Sequence, residues 1–278
     1  MLDCCDMDAM DDHASAHPGS VSLRVCVLGS GSKGNCTYVE SSEACILIDA
    51  GLSAREIERR LLQIGRSPAA LDGILLSHEH SDHIHGVGVL SRRYKLPVYA
   101  NRATWQRAQP IVGTVDALHE FSTGSPFLLK DLIVDPFSLP HDADDPVAFR
   151  LAWRRRILAV VTDLGFPSQL VRERLKGCHL LLLESNHDEG MLKVGPYPWP
   201  LKQRIGGKSG HLSNLQSSQL LREVLHDELE HVILGHLSEI NNRPDLARLR
   251  AQDILGSKGI RVSVATQREV SAWYALPD

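Results

Sequence analysis

The 278-residue chain has no apolar run fit to cross a bilayer; runs such as Leu180–Leu183 fall far short of the roughly 20 residues required. The first 20 residues carry five Asp, no Lys or Arg and no apolar stretch, so they lack the basic-then-apolar pattern of a secretory leader. A cytoplasmic location is the expectation. With that acidic segment set aside, the formal charge of −4 becomes about +1 for residues 21–278. The body therefore lacks the basic excess that would by itself indicate nucleic-acid binding. Arg154, Arg155 and Arg156 are a local basic run, read here as a solvated strand edge. The six Cys contain no Cys-x-x-Cys pair and mostly sit in apolar, strand-like surroundings, which makes them reduced, largely buried thiols. No repeat of fixed short period and no low-complexity segment is present.

A hydrophobic content of 43% is enough to fill a substantial core. Residues 1–20 lack periodicity and end in Pro18-Gly-Ser20, so they read as a disordered acidic tail, with one domain over 21–278. Apolar runs at Leu23–Leu28, Cys45–Asp49, Gly73–Leu76 and Leu96–Tyr99 predict strands, and the amphipathic stretches Ala54–Ile64 and His83–Tyr94 predict helices. A strand-dense middle follows, with Leu118–Phe121, Asp131–Leu139, Val147–Trp153, Ile157–Thr162 and His179–Glu184, interrupted by one helix at about Pro167–Leu175. The last third alternates helix Asn214–His226, strand His231–Leu234, helix Pro244–Leu255 and strand Ile260–Ala265. Such a pattern implies a layered α/β protein with one continuous core.

The segment Ile74-Leu-Leu-Ser-His78-Glu-His80-Ser-Asp82-His83 runs an apolar strand straight into four metal-ligand side chains. At a strand end alternate residues such as His78 and His80 point the same way, and a turn can present Asp82 and His83 to a second point nearby. His-x-His-x-Asp-His should arise by chance in about one in 400 chains of this composition. Three more strand-to-loop junctions supply partners: His141 after Ile133–Pro140, Asp163 after Ile157–Thr162, and His236 after Val232–Gly235. Each alone reads as a turn or cap residue; together they complete a coordination sphere.

With these pieces in order, after Leu47-Ile-Asp49-Ala-Gly51, the chain resembles the metallo-β-lactamase superfamily over nearly its whole body. The resemblance implies a single-domain, four-layer αβ/βα sandwich with two divalent metal ions, Zn²⁺, Mn²⁺ or iron, at one edge. It implies that His78, His80 and His141 hold one ion, that Asp82, His83 and His236 hold the other, that Asp163 bridges them and that Asp49 orients the site. An Asp at position 163 is foreign to the true β-lactamases, so antibiotic hydrolysis is disfavoured. Two ions about 3.5–4 Å apart suit in-line displacement at phosphorus.

A second resemblance, through Glu184-Ser-Asn186-His187-Asp188, Gly210-His211-Leu-Ser213-Asn214 and Gly235-His236-Leu-Ser238, is to the tRNA-processing and exonuclease branch. It implies that Glu184 orients His211 and that His211 protonates the leaving oxygen. The expected catalytic side chains are thus Asp82, His211, Glu184 and Asp49. Only 22 residues separate His141 from Asp163, and 73 separate Asp163 from His236. This leaves no room for a tRNA-gripping arm or an inserted nuclease domain. With Leu28-Gly-Ser-Gly-Ser-Lys-Gly-Asn35, Tyr197-Pro-Trp-Pro-Leu-Lys202 and Gly235–Asn242 added, the chain is similar to the YycJ/WalJ-like family, which implies 5′-to-3′ exonuclease activity and DNA ends as partner.

The Gly29–Asn35 loop lacks the Gly-Lys-Ser/Thr ending of a nucleoside-triphosphate site. Beside the metals, Ser30, Ser32 and Asn35 are expected substrate donors, with His187, Ser213 and Asn214 from the second group of motifs. Ser213 reads equally as a helix cap, and Tyr197 and Trp199 either stack on a base or pack with the neighbouring prolines. The competing reading is a small-molecule phosphodiesterase, or a thioester or lactone hydrolase, with the same metals.

Overall fold

The computed structural model describes residues 22–256 and 258–278. The expected acidic tail at residues 1–20 lies outside them. The first sheet is laid down by β1 (Ser22–Gly29), β2 (Cys36–Glu40), β3 (Cys45–Ile48), β4 (Gly73–Leu75), β5 (Pro97–Asn101) and β6 (Ala117–Phe121) in that spatial order. The second contains β7 (Phe127–Leu129), β8 (Leu132–Ser138), β9 (Val147–Trp153), β10 (Arg156–Val161), β11 (Leu180–Glu184), β12 (His231–Gly235) and β13 (Arg261–Val264), again in order. The last strand, β14 (Tyr274–Pro277), returns to the first sheet beside β1. Nine α-helices lie among the described residues: α1 (Ala54–Gln63), α2 (Ser81–Ile84), α3 (Val87–Tyr94), α4 (Arg102–Val112), α5 (Gln169–Leu175), α6 (Glu189–Val194), α7 (Trp199–Ile205), α8 (Asn214–Val224) and α9 (Pro244–Leu255). None is long and apolar enough to cross a membrane.

Alternation along the strands builds four layers. In β1, Leu23, Val25 and Val27 face the other sheet, while Cys26 and Leu28 face the helices. In β11, Leu180 and Leu182 face inward and Leu181 and Leu183 outward. Both faces of both sheets are thus covered, which explains the near-continuous apolar runs of β11 and β12. The single core expected from the pattern is three: one between the sheets and one beneath each helical layer.

The predicted helix over His83–Tyr94 is broken. A Cβ at Gly86 would come within 2.5 Å of the Leu52 carbonyl oxygen, and the Gly86 N–H donates to the Ala50 carbonyl. This close approach of α2 to the β3–α1 connection makes the break and turns α2 toward the sheet edge. Helices α4, α6 and α7 and strands β2, β7 and β14 were not predicted. Pro and Gly crowd the segment of α6 and α7, and Pro110 sits inside α4; both are local stop signals that packing overrides.

Candidate metal centre

In the parallel part of each sheet the strands end level with one another, and side chains just past their carboxyl ends meet in one place. Ile48 of β3 is paired with Leu75 of β4, so Asp49 and Ser77–His78 leave the first sheet together. Glu184 of β11 is paired with Gly235 of β12, and Val161 of β10 with Leu183, which brings Asp163, Glu184 and His236 to the same edge. Asp49, Asp163 and His236 all turn out of their strands with left-handed backbone, at φ of 59°, 60° and 55°. Non-glycine residues seldom adopt that conformation, and at a strand end it swings the side chain out of the sheet plane.

The seven sequence-predicted ligands converge in two clusters. In the first, His78 Nε2 lies 3.1 Å from His80 Nδ1, which is 3.3 Å from His141 Nε2. Ligand nitrogens about 2.0–2.1 Å from a tetrahedral ion are separated by about 3.3 Å, so the spacing fits a shared cation. In the second, His83 Nε2 and His236 Nε2 lie 3.6 and 3.8 Å from Asp82 Oδ2. Asp163 divides its oxygens between them: Oδ1 is 3.7 Å from His141 Nε2 and Oδ2 is 3.0 Å from His83 Nε2. Asp163 Oδ2 and His236 Nε2 are buried with no hydrogen-bond partner. Burying such atoms unpaired costs several kcal/mol, and a divalent cation at the second cluster, where both atoms lie, would satisfy them.

Two buried carboxylates hold the imidazoles. Asp49 contacts His83 Nδ1 at 2.7 Å and accepts from the Ser77 N–H and hydroxyl, each at 2.8 Å; the same hydroxyl is 3.0 Å from His78 Nδ1. Glu184, fully buried, takes His236 Nδ1 at 2.7 Å and His211 Nδ1 at 2.9 Å on one oxygen, and the Leu164 and Leu212 N–H groups on the other. Its expected task was to orient His211; it also holds His236. With Nδ1 engaged in this way, His211 presents Nε2 to the cavity that its ring lines.

Charge follows geometry. Burial alone would raise Asp163, but His236 and His83 hold its carboxyl well below the usual range. Glu184 is likewise brought down to about 2, burial being outweighed by His211 and His236. Burial opposes the charged form of His211, yet Glu184 pulls its pKa above the ordinary value. His78 is pushed well down by burial and by His83, leaving it a neutral donor.

The centre opens into a cavity of about 280 Å³ lined by His80, Asp82, His141, Asp163, His211 and His236 on the metal side. Of the six expected substrate donors only Ser32 reaches it. Ser30 is buried and accepts the His236 N–H at 2.7 Å. Asn35 accepts the Gly31 N–H, and its amide lies 3.3 Å from Asp82 Oδ2. Ser213 caps α8 and donates to Glu189. Asn214 is buried against Ser185 and Asn242, and His187 is buried in a bridge beside Ser213. In this structure these five are engaged within the protein and none of them lines the cavity. The opposite wall is made of Asp142, Asn186, Tyr197, Leu201, Arg204, Ile205 and Ser238. Of these, Asp142, Arg204 and Ile205 had no sequence signal beyond closeness to His141 and to the Tyr197–Lys202 motif, which itself contains Leu201.

A family model described as a beta-lactamase superfamily domain matches residues 45–237, a span holding all seven clustered ligands. The chain belongs to the metallo-β-lactamase superfamily. Within it, the chain is 40% identical to the exodeoxyribonuclease YycJ of Bacillus anthracis over 87% of its length and 93% of that protein's. It is 38% identical to the exodeoxyribonuclease WalJ of Streptococcus pneumoniae, covering 88% of this chain and 92% of the other. Among solved structures, the metallo-β-lactamase fold protein YhfI of Bacillus subtilis superimposes with a TM-score of 0.71 over 90% of this chain and 99% of that one, at 18% identity. The two-sheet sandwich is therefore that of the superfamily, and the chain is a hydrolase of it.

Proposed function

We propose that this hydrolase is a two-metal exodeoxyribonuclease that removes nucleotides from the 5′ ends of DNA. The observation that carries the reading is the division of Asp163 between two imidazole clusters, with His211 held beside them at Nδ1 by Glu184. His78, His80 and His141 would hold one ion, Asp82, His83 and His236 the other, with Asp163 shared; Zn²⁺ and Mn²⁺ both suit nitrogen and carboxylate donors. Such ions supply Lewis acidity toward a phosphodiester and activation of water. The relatives named exodeoxyribonucleases, similar over nearly their whole length, support a DNA substrate.

The chain's own residues then complete the reaction. Water oxygen bonds to phosphorus and releases a proton to solvent, the ester P–O bond breaks, and His211 gives its Nε2 proton to the departing oxygen, leaving a phosphate monoester and a free hydroxyl; a solvent proton then recharges His211. Glu184 stabilises the charged imidazole beforehand and keeps Nε2 pointed at the cavity; the proton transfer itself contributes roughly 10²–10⁴ in rate.

A small-molecule phosphodiester, thioester or lactone is the competing substrate, favoured by the modest cavity and the near-neutral body. Mn²⁺- or Zn²⁺-supported digestion of a 5′-phosphorylated, end-labelled duplex separates the two. Stepwise, metal-dependent loss from the 5′ end that collapses in Asp163→Ala supports the nuclease. Intact DNA and RNA alongside turnover of bis-p-nitrophenyl phosphate sinks it in favour of the small substrate.

A further inference from the structure

One wall of the cavity belongs to a surface strap, residues 189–210, whose composition departs from that of the rest of the molecule. It carries Lys193, Lys202, Arg204 and Lys208 against one acid, Glu189, in a body close to neutral. The chain has eight lysines. Lys33, Lys95, Lys130 and Lys176 are ion-paired. Among the described residues Lys193, Lys202, Lys208 and Lys258 are not, so three of the four ammonium groups without an ion pair fall within one 16-residue segment of the strap, where Lys202 Nζ donates to the Lys193 carbonyl at 2.8 Å.

The strap also exposes apolar surface. Trp199 is 65% exposed, whereas Trp105 and Trp153 are buried and Trp273 is covered by Arg24 and Arg66. Packing against the neighbouring prolines does not account for it. Helix α7, which Trp199 begins, contributes no buried residue at all. The strap is nevertheless held firmly. A Cβ on Gly165 would meet the Lys208 carbonyl oxygen at 2.2 Å, one on Gly195 would meet Asn241 Oδ1 at 2.4 Å, Arg204 pairs with Asp142 at 2.6 Å, and Gly210 O meets His141 Nδ1 at 3.2 Å. Tyr197, two residues before Trp199, lines both the metal cavity and a smaller cleft with Ser32, Lys33, Ser238, Glu239, Ile240 and Gln267.

We propose that residues 193–208 form a platform for the unpaired nucleotides of a single-stranded DNA end, with Trp199 stacking on a base, Lys193, Lys202 and Lys208 on the phosphates, and the strand entering the cavity past Tyr197. A fixed aromatic face flanked by free cations is how proteins hold single strands without reading sequence. Bases inside a duplex have no free face to offer Trp199. This inference rests on the nuclease reading and specifies the form in which DNA is bound.

The test uses the full metal-loaded chain and a short, 5′-phosphorylated, fluorescent single strand whose phosphorothioate linkages resist hydrolysis, with binding followed by anisotropy. Trp199→Ala is expected to weaken binding by roughly 5- to 150-fold. Trp199→Phe should keep most of the affinity while losing the tryptophan quenching that the unaltered chain shows. Replacing Lys193, Lys202 and Lys208 by Gln should lower the slope of log affinity against log salt by about 2, whereas Lys258→Gln should leave it unchanged. Unaltered affinity in Trp199→Ala, an unaltered slope in the triple variant, or preference for blunt duplex over single strand would overturn the platform and leave the nuclease reading intact. An unaltered chain that neither binds nor degrades DNA while hydrolysing bis-p-nitrophenyl phosphate overturns both.

Discussion

The two ligand clusters share Asp163 but are built differently. The first, His78, His80 and His141, is all imidazole and lightly supported: His78 leans on the Ser77 hydroxyl and His141 on the Gly210 carbonyl. The second, Asp82, His83 and His236, contains a carboxylate, and each imidazole is fixed by a buried carboxylate of its own, Asp49 or Glu184. Held rings lose less freedom on binding, and a carboxylate partner makes an imidazole a better donor. The second cluster is therefore expected to bind its ion more tightly, and the first to exchange more readily with solvent through the cavity.

Asp163→Ala should erase the comparison altogether: both clusters lose a shared ligand, and hydrolysis of DNA should fall to the uncatalysed background, measured with metal in excess. His211→Ala leaves both clusters intact, so two ions per chain should remain by elemental analysis while DNA hydrolysis drops roughly 10²–10⁴-fold. Turnover of bis-p-nitrophenyl phosphate, whose leaving group needs no proton, should drop far less; an equal loss on both substrates would remove His211 as the proton donor.

Asp49→Asn should cost the second cluster about 10–100-fold in affinity, leaving one ion after dialysis. Ser77→Ala, which removes a neutral partner shared by His78, His83 and Asp49, should cost less; the reverse ranking would break the asymmetry. Gly51→Ala offers a backbone route to the same end. Its Cβ would fall 1.6 Å from the Asp82 carbonyl oxygen, displacing that loop, so metal content should drop at the second cluster. The smallest effect is thermal. Removing both ions with a chelator should lower the melting temperature by several degrees, because an ion at about 100 times its dissociation constant contributes about 2.7 kcal/mol. Back-titration should restore most of that shift with the first equivalent.

The convergence of these seven side chains was legible in the sequence because metal chemistry admits few residue types and strand ends mark where they sit. His78 through Asp82 and His83 needed only spacing; His141, Asp163 and His236 needed the end of an apolar run. Serine and asparagine are not restricted in this way. Ser30, Asn35, Ser213 and Asn214 resemble substrate donors in sequence, yet each satisfies a buried backbone or ligand-loop group, the commoner use of short polar side chains. The opposite wall was hidden for another reason. Leu201, Arg204 and Ile205 reach the cavity from α7, a seven-residue helix in a segment whose prolines and glycines read as loop. The division of His83–Tyr94 depended on the close approach at Gly86, a contact between segments that no local pattern records.

The left-handed turns at Asp49, Asp163 and His236 carry a thermodynamic consequence. Each such residue costs on the order of 1–3 kcal/mol relative to one suited to the conformation, and glycine alone adopts it freely. Glycine at these three strand ends would relieve the backbone and, at Asp49 and Asp163, remove a buried carboxylate as well. The metal-free scaffold is thus held below the stability it would reach as an inert sandwich, and selection for thermal stability alone would drift toward the loss of its own chemistry.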